Sequence, residues 1–260
     1  MSRPLVVIPT YNERDNLAGI VARVRAAVPD ASVLVVDDNS PDGTGALADE
    51  LAGADGSVHV LHRAAKNGLG AAYLEGFDWA LERGFDPIVQ LDADGSHLPE
   101  QLPSLLEALA TPDASGRTPD LVIGSRWIPG GRIVNWPRYR EVLSRSGGAY
   151  ARWILRLPVR DVTAGYRAFR AAALRDLHLE RVHTFGYGFQ VDMLWHAHEA
   201  GLVAVEVPVT FVERELGHSK MSVGIVLEAM VRVTAWGIGS WFRRRQPARS
   251  EGSAATRSRT

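Results

Sequence analysis

The sequence predicts an α/β fold, a mainly parallel sheet flanked by helices, on three observations. Short apolar, β-branched runs recur along the first half of the chain, segments of helical periodicity separate them, and polar residues gather immediately after several runs. Parallel strands need long crossover connections, and helices are the usual ones. With 260 residues, 46% of them apolar, the chain can bury the core of one large domain or two small ones, which argues against a disordered or repetitive protein.

In order, Leu5 to Ile8, Ser32 to Val36, Val58 to Leu61 and Pro87 to Leu91 are the first four expected strands. Glu13 to Val28, Gly45 to Ala52 and Gly68 to Arg83 read as the helices between them. In the first helix Leu17, Ile20, Val21 and Val24 share a face, and Asn12 is the expected N-cap. A helix from Pro99 to Ala110 should lead to a strand at Leu121 to Ile123. From Arg126 to Arg170 the periodicity breaks down in a stretch rich in Gly, Pro, Trp and Arg. Val203 to Glu213 returns as a strand whose Pro208 suits a sheet edge. Residues 223–242 have roughly the length of a membrane span but contain Glu228, Arg232, Thr234, Ser240 and several glycines. That segment is expected to be a helix lying against protein or in the bilayer interface, followed by a basic, disordered tail over 243–260.

Composition narrows the function. Lys and Arg number 29 against 30 Asp and Glu, so no global basic field points to nucleic acid, and any electrostatic function must be local. With no cysteine there is no disulfide framework, thiolate metal site, iron–sulfur cluster or cysteine nucleophile. The apolar start, Leu5 to Ile8, is too short for a signal segment, and a cytoplasmic protein is expected.

In open α/β sheets ligands sit beyond the carboxyl ends of the strands. There the sequence places Pro9-Thr10-Tyr11-Asn12-Glu13, Asp37-Asp38-Asn39-Ser40-Pro41-Asp42-Gly43 and Asp92-Ala93-Asp94-Gly95-Ser96-His97. Asp92 and Asp94 can place two carboxylates on one side of an extended segment, and oxygen donors of this kind, with Ser96, suit Mg²⁺ or Mn²⁺. Taken alone, Asp-x-Asp reads more simply as a solvated turn; the second acidic cluster at a neighbouring strand end favours the metal. Asp37 and Asp38 either open a turn or, through Asp38, accept from a ribose or base. Neither a Gly-x-Gly-x-x-Gly nor a phosphate loop is present, so a bound nucleoside diphosphate would rely on metal and arginines. Ten arginines lie between Arg126 and Arg170 against only Glu141 and Asp161. Arg132, Arg145, Arg152, Arg156, Arg160 and Arg170 are expected to be solvated or membrane-facing, His97, His196 and His198 to be capping or surface residues, and Phe189 and Trp195 to be core.

The strand-end motifs resemble family 2 glycosyltransferases of the GT-A fold, a Rossmann-like, mixed, mainly parallel sheet. Gly124-Ser125-Arg126, Asp161-Val162-Thr163-Ala164-Gly165-Tyr166-Arg167, Gly188-Phe189-Gln190 and Phe211-Val212-Glu213-Arg214-Glu215-Leu216-Gly217-His218-Ser219-Lys220 are similar to polyprenol (dolichol) monophosphate mannose synthases. Ala164 and Asp192 depart from the family's usual Ser and Glu. The resemblance, from about Pro4 to Ser222, implies a catalytic domain over 1–222 that moves mannose from GDP-mannose to a polyprenyl monophosphate with inversion. It implies nucleoside contacts at Pro9, Tyr11, Glu13, Val36 and Asp38, diphosphate and metal at Asp92, Ala93 and Asp94, and metal coordination completed by Ser96. It further implies Arg126, Arg214 and Lys220 at the reacting phosphates, with Arg140 and Ser144 on the acceptor side.

The chemistry agrees. A phosphate monoester is largely dianionic at neutral pH and is already a nucleophile, so positioning and charge neutralisation matter more than a general base. The lipid would be met at the membrane surface through residues 223–242 and Arg243-Arg244-Arg245, or through a membrane subunit, unless that helix simply packs on the domain. Rival readings are a UDP-sugar transferase acting on the same lipid class and a non-catalytic GT-A-like subunit. The intact Asp92-Ala93-Asp94 and the pairing of Arg214 with Lys220 argue against the second.

Overall fold

The computed structural model describes residues 3–113, 115–177, 179, 182, 188–213 and 230–238. Strands β1 (Leu5–Thr10), β2 (Ser32–Asp37), β3 (Val58–His62) and β4 (Ile88–Gln90) alternate with helices α1 (Arg14–Ala27), α2 (Thr44–Ala54) and α3 (Leu69–Glu82). A short 3₁₀ turn at Pro99–Gln101 and helix α4 (Leu102–Ala110) lead to β5 (Leu121–Ser125). Then follow β6 (Arg132–Val134), α5 (Arg138–Leu155), β7 (Arg167–Phe169), α6 (Ala171–Asp176), α7 (Phe189–Glu199), β8 (Ala204–Pro208) and β9 (Thr210–Val212).

Seven strands form one mixed sheet in the order β3-β2-β1-β4-β7-β5-β8, in which only the pairings of β7 with β4 and β5 are antiparallel. Strand alternation divides the core between its two faces. Leu5, Val7, Leu34 and Ile88 pack with Tyr73, Phe77 and Phe189 on one side, whereas Val6, Ile8, Val33 and Val89 meet Leu17, Val24 and Leu105 on the other. The order reverses between β1 and β4, so the crevice beyond their carboxyl ends is the switch point where such sheets take ligands.

Three expectations need correction. Asn12 is not the N-cap of α1: it adopts a left-handed φ of 60°, Glu13 takes the cap position, and the first backbone amides are met by Thr44 and Asp42. The stretch from Arg126 to Arg170 is not irregular, because it holds β6, β7 and the 18-residue α5. Only Gly148, Ala151, Ile154 and Leu155 of α5 are buried, all in its second half, and Gly147-Gly148 interrupts the apolar signal, so no core-facing stripe runs its length. The single strand expected from Val203 to Glu213 divides into β8, at the sheet edge as Pro208 suggests, and β9, which pairs parallel to β6 in a second, two-stranded sheet.

Of the C-terminal segment, residues 230–238 are helical. Val233 is buried, Trp236 stacks on Trp195 with ring centroids 5.4 Å apart, and the Tyr150 and Thr234 hydroxyls lie 2.6 Å apart. This part therefore packs on the domain through Val233 and Trp236, with Val231 and Ile238 exposed. Among the described residues no helix is long and apolar enough to cross a membrane. Arg243, Arg244, Arg245 and the rest of the tail lie outside the described residues.

Candidate active site

At the end of β1 and β2 the two acidic neighbours take different roles. Asp37 holds the turn: it accepts from the Thr10 hydroxyl at 3.2 Å and from the amide and hydroxyl of Ser40 at 3.2 and 2.5 Å. Asp38, 5% exposed, turns instead to the Arg63 guanidinium, whose Nη2 also donates to Glu75 at 2.8 Å. Burial pushes the Asp38 carboxyl up from its ordinary range, and Arg63 opposes that rise through its hydrogen bond and charge. The turn reading of the Asp pair thus belongs to Asp37, whereas Asp38 is engaged by Arg63.

Tyr11 lies beneath the Lys66 ammonium, 3.5 Å from its ring centroid. Glu13 accepts from the Asn16 side chain at 2.8 Å. Pro9 and Val36 are register partners and both are buried, and the Val36 side chain packs in the core beside Gly76.

Beyond β4, Asp92 accepts a hydrogen bond from the Tyr73 hydroxyl at 2.8 Å, and its backbone amide donates to His97 Nδ1 at 3.2 Å. Burial, with the charges of Asp92 and Asp94, pushes the Tyr73 phenol well above its ordinary range, so it stays a donor to Asp92. Asp94 Oδ1 accepts from the Ser96 amide at 3.1 Å across the left-handed Gly95, while the Ala93 side chain is buried in the core. Ser96 is 2% exposed. His97 is neither a cap nor a surface residue: it is buried, stacked on Tyr166 and edge-on to Phe211. Among the described residues no cluster of three or more His, Cys, Asp or Glu could hold a metal. The donors here are the hard oxygens of two carboxylates and a hydroxyl, a set that suits Mg²⁺ or Mn²⁺ when substrate phosphate completes the shell.

Asp92 and His97 line a cavity of about 210 Å³ whose other walls include Arg126, Arg140, Ser144 and Gln190. Arg126, 8% exposed, is clamped by fully buried Asp161 and donates also to Thr163 at 2.8 Å. Arg140 stacks over Trp136 at 4.2 Å and pairs with Glu213. Three buried atoms of residues lining this cavity, Trp136 Nε1, Arg140 Nε and Gln190 Oε1, have no hydrogen-bond partner among the described residues. Buried polar atoms are nearly always satisfied, so these mark where a polar ligand belongs. The structure therefore brings Asp92, Arg126, Arg140 and Ser144 to one chamber, with Asp94 and Ser96 on the adjoining turn and Tyr11, Glu13 and Asp38 at the neighbouring strand ends. Arg214 and Lys220 lie outside the described residues.

Two further arginines are structural, one of them against expectation. Arg167 is fully buried and donates to the carbonyls of Ala164, Gln190 and Val162, stapling the loop before β7 to the start of α7; desolvation lowers its pKa to about 9. Arg170 is not solvated but donates to the carbonyls of Pro119 and Leu109 at 2.8 and 2.6 Å. Sequence reasoning assigned no role to Asp161, Arg63, Tyr73 or Gln190. Asp161 carried the one legible signal, as one of two acids among ten arginines.

The sequence model of glycosyl transferase family 2 matches residues 5–178. An undecaprenyl-phosphate mannosyltransferase of Micrococcus luteus is 58% identical over 238 residues, covering 92% of this chain and 95% of its own. A polyprenol monophosphomannose synthase of Mycolicibacterium smegmatis is 56% identical over 237 residues, covering 91% of this chain and 87% of its own. Among solved structures, a mannosyltransferase of Pyrobaculum calidifontis in complex with GDP-Man and Mn²⁺ is similar in fold, with a TM-score of 0.55 at 20% identity, covering 93% of this chain and 64% of that one.

Proposed function

We propose, from the premise that this chain belongs to glycosyl transferase family 2, that it transfers mannose from GDP-mannose to a polyprenyl monophosphate with inversion, forming a β-linked lipid phosphomannose and GDP. The observation that carries this reading is the chamber in which the Asp92 carboxylate faces a wall bearing the Arg126 and Arg140 guanidinium groups. Such a chamber suits two phosphate-bearing substrates, because the guanidinium N–H groups not taken up by Asp161 and Glu213 can donate to their oxygens.

An acceptor phosphate oxygen forms the new bond to the mannose anomeric carbon as the bond from that carbon to the GDP β-phosphate oxygen breaks on the opposite face. The phosphate dianion is the nucleophile and needs no general base. Arg126 and Arg140, with Ser144, hold it in line, and Arg214 and Lys220 are assigned to the reacting phosphates. Asp92, Asp94 and Ser96 would hold Mg²⁺ or Mn²⁺, which neutralises charge on the departing diphosphate. Asp38, Tyr11 and Glu13 receive the guanosine beside Pro9 and Val36, and the backbone beside Ala93 approaches the diphosphate.

The lipid reaches this chamber from the membrane surface, and α5 supports that reading. Tyr139, Val142 and Trp153 are 75%, 66% and 67% exposed and fall on one stripe of the helix, with Arg138, Arg145 and Arg152 recurring every seven residues on the stripe beside it. An apolar and aromatic stripe edged by arginines is the pattern of a helix lying in a bilayer interface. We assign the protein to the cytoplasmic membrane face on this basis, with a membrane subunit as the other route to the lipid. The test is a matched comparison of GDP-mannose, GDP-glucose and UDP-glucose with polyprenyl phosphate and divalent metal. Product from GDP-mannose alone is expected; preferential use of UDP-glucose overturns the donor assignment.

A further inference from the structure

A second cavity, of about 400 Å³, lies on the other side of Arg126, between the loop before β6 and the first half of α5. Its walls carry four arginines, Arg126, Arg132, Arg145 and Arg160, and one carboxylate, Glu141. Two of the four charges are answered locally: Arg126 by Asp161, and Arg145 by Glu141 at 3.1 Å. The side chains of Arg132 and Arg160 have no ion pair or hydrogen bond among the described residues. The cavity thus holds two uncompensated guanidinium groups around a concave space, an arrangement suited to a phosphate ester. Trp127 closes one wall, with the Arg126 and Arg145 guanidinium carbons 5.2 and 5.0 Å from its ring.

Position identifies the source of that phosphate. Arg145 belongs to the arginine stripe of α5, next to the exposed stripe of Tyr139, Val142 and Trp153. If that apolar stripe rests in a bilayer, the cavity mouth stands at headgroup depth. We propose that this cavity binds the phosphate headgroup of an anionic membrane lipid, separately from the chamber that takes the lipid acceptor. It rests on the proposed function only in requiring a membrane. Because Arg126 lines both spaces, a headgroup held there orders the wall of the reaction chamber while the protein sits on the membrane.

The test uses the full chain and vesicles of phosphatidylcholine, alone or doped with phosphatidylglycerol. Arg132→Gln/Arg160→Gln should weaken partition into the doped vesicles by about thirtyfold, two surface charges' worth, and leave partition into neutral vesicles unchanged. Arg152→Gln/Arg156→Gln removes two exposed arginines outside the cavity and should weaken it clearly less. Equal losses from the two pairs mean diffuse attraction and overturn the site. In parallel, the fluorescence change that disappears in Trp127→Phe should titrate with a soluble short-chain phosphatidylglycerol and not with inorganic phosphate. A response to inorganic phosphate alone overturns the lipid assignment. Both arginine pairs should keep the melting temperature and the turnover of a soluble short-chain acceptor. Should the unmodified chain fail to turn over GDP-mannose, the proposed function fails while the vesicle comparison still decides the site.

Discussion

Asp161 accepts three hydrogen bonds from Arg126 across 35 residues of chain: from its backbone amide at 2.9 Å, Nε at 2.8 Å and Nη2 at 2.7 Å. The Asp161 amide is itself held by Glu206 of the edge strand β8 at 2.9 Å. The sheet edge, the loop before β7 and the end of β5 are thereby locked around one guanidinium, which lines the candidate chamber with its orientation set in advance.

Removing Asp161 should expose that dependence. Asp161→Ala strands a buried charge, and the unfolding free energy should fall by about 3–5 kcal/mol in urea denaturation. Adding Arg126→Met should restore part of that stability while turnover stays lost. A double variant whose stability losses simply add would show that the two residues do not act as a pair.

Asp94→Ala should lower turnover by several orders of magnitude, on the usual scale of several kcal/mol for neutralisation of a leaving group by a metal. The unmodified enzyme should lose activity in chelator and regain it with Mg²⁺ or Mn²⁺. Undiminished activity of the variant in chelator would remove the metal assignment.

Arg63→Met should act on donor binding in a pH-dependent way. With Arg63 gone, burial is unopposed and the Asp38 carboxyl rises further. On the proposed role of Asp38 as a guanosine acceptor, the ionised form then requires higher pH, so the acid limb of kcat/KM for GDP-mannose should move upward while acceptor KM holds. The stability sign is the reverse: a carboxyl raised in the folded state favours folding below its unfolded pKa, and that contribution fades as pH rises through the raised value. An unmoved acid limb would separate Asp38 from the donor.

Arg214→Ala should keep the melting temperature and lose turnover, because the segment from Arg214 to Ser222 is polar and contains glycine. Loss of a charged donor to phosphate costs about 1.5–3 kcal/mol, roughly ten- to a hundredfold in rate. Thermal denaturation alongside initial rates checks it; an unfolded variant would give Arg214 a structural role instead.

Val142→Ser/Trp153→Ser should weaken flotation with vesicles, since a large apolar side chain transferred from water is worth about 1.5–3 kcal/mol. GDP-mannose binding should be unchanged. Flotation equal to that of the unmodified chain would take α5 off the membrane.

Much of the fold and the outline of the site were legible in the sequence because both rest on local pattern. The β-branched runs set the first strands, the helical periodicity of Leu17, Ile20, Val21 and Val24 set the face of α1, and the polar residues after each run marked the crevice before any coordinates. The motifs from Gly124 to Gln190 were readable as residues but not as contacts. Tertiary structure alone decided that Arg126 is held by Asp161, that Asp38 rather than Asp37 faces Arg63, and that Arg167 is a buried staple. It also decided that the stretch from Arg126 to Arg170 contains an 18-residue helix with an exposed apolar stripe. The physical reason is range. Periodicity reports which face of an element is apolar over a few turns, whereas pairing partners 25 to 35 residues apart are chosen by how the strands stack, and a charge's role follows from the partner it meets there.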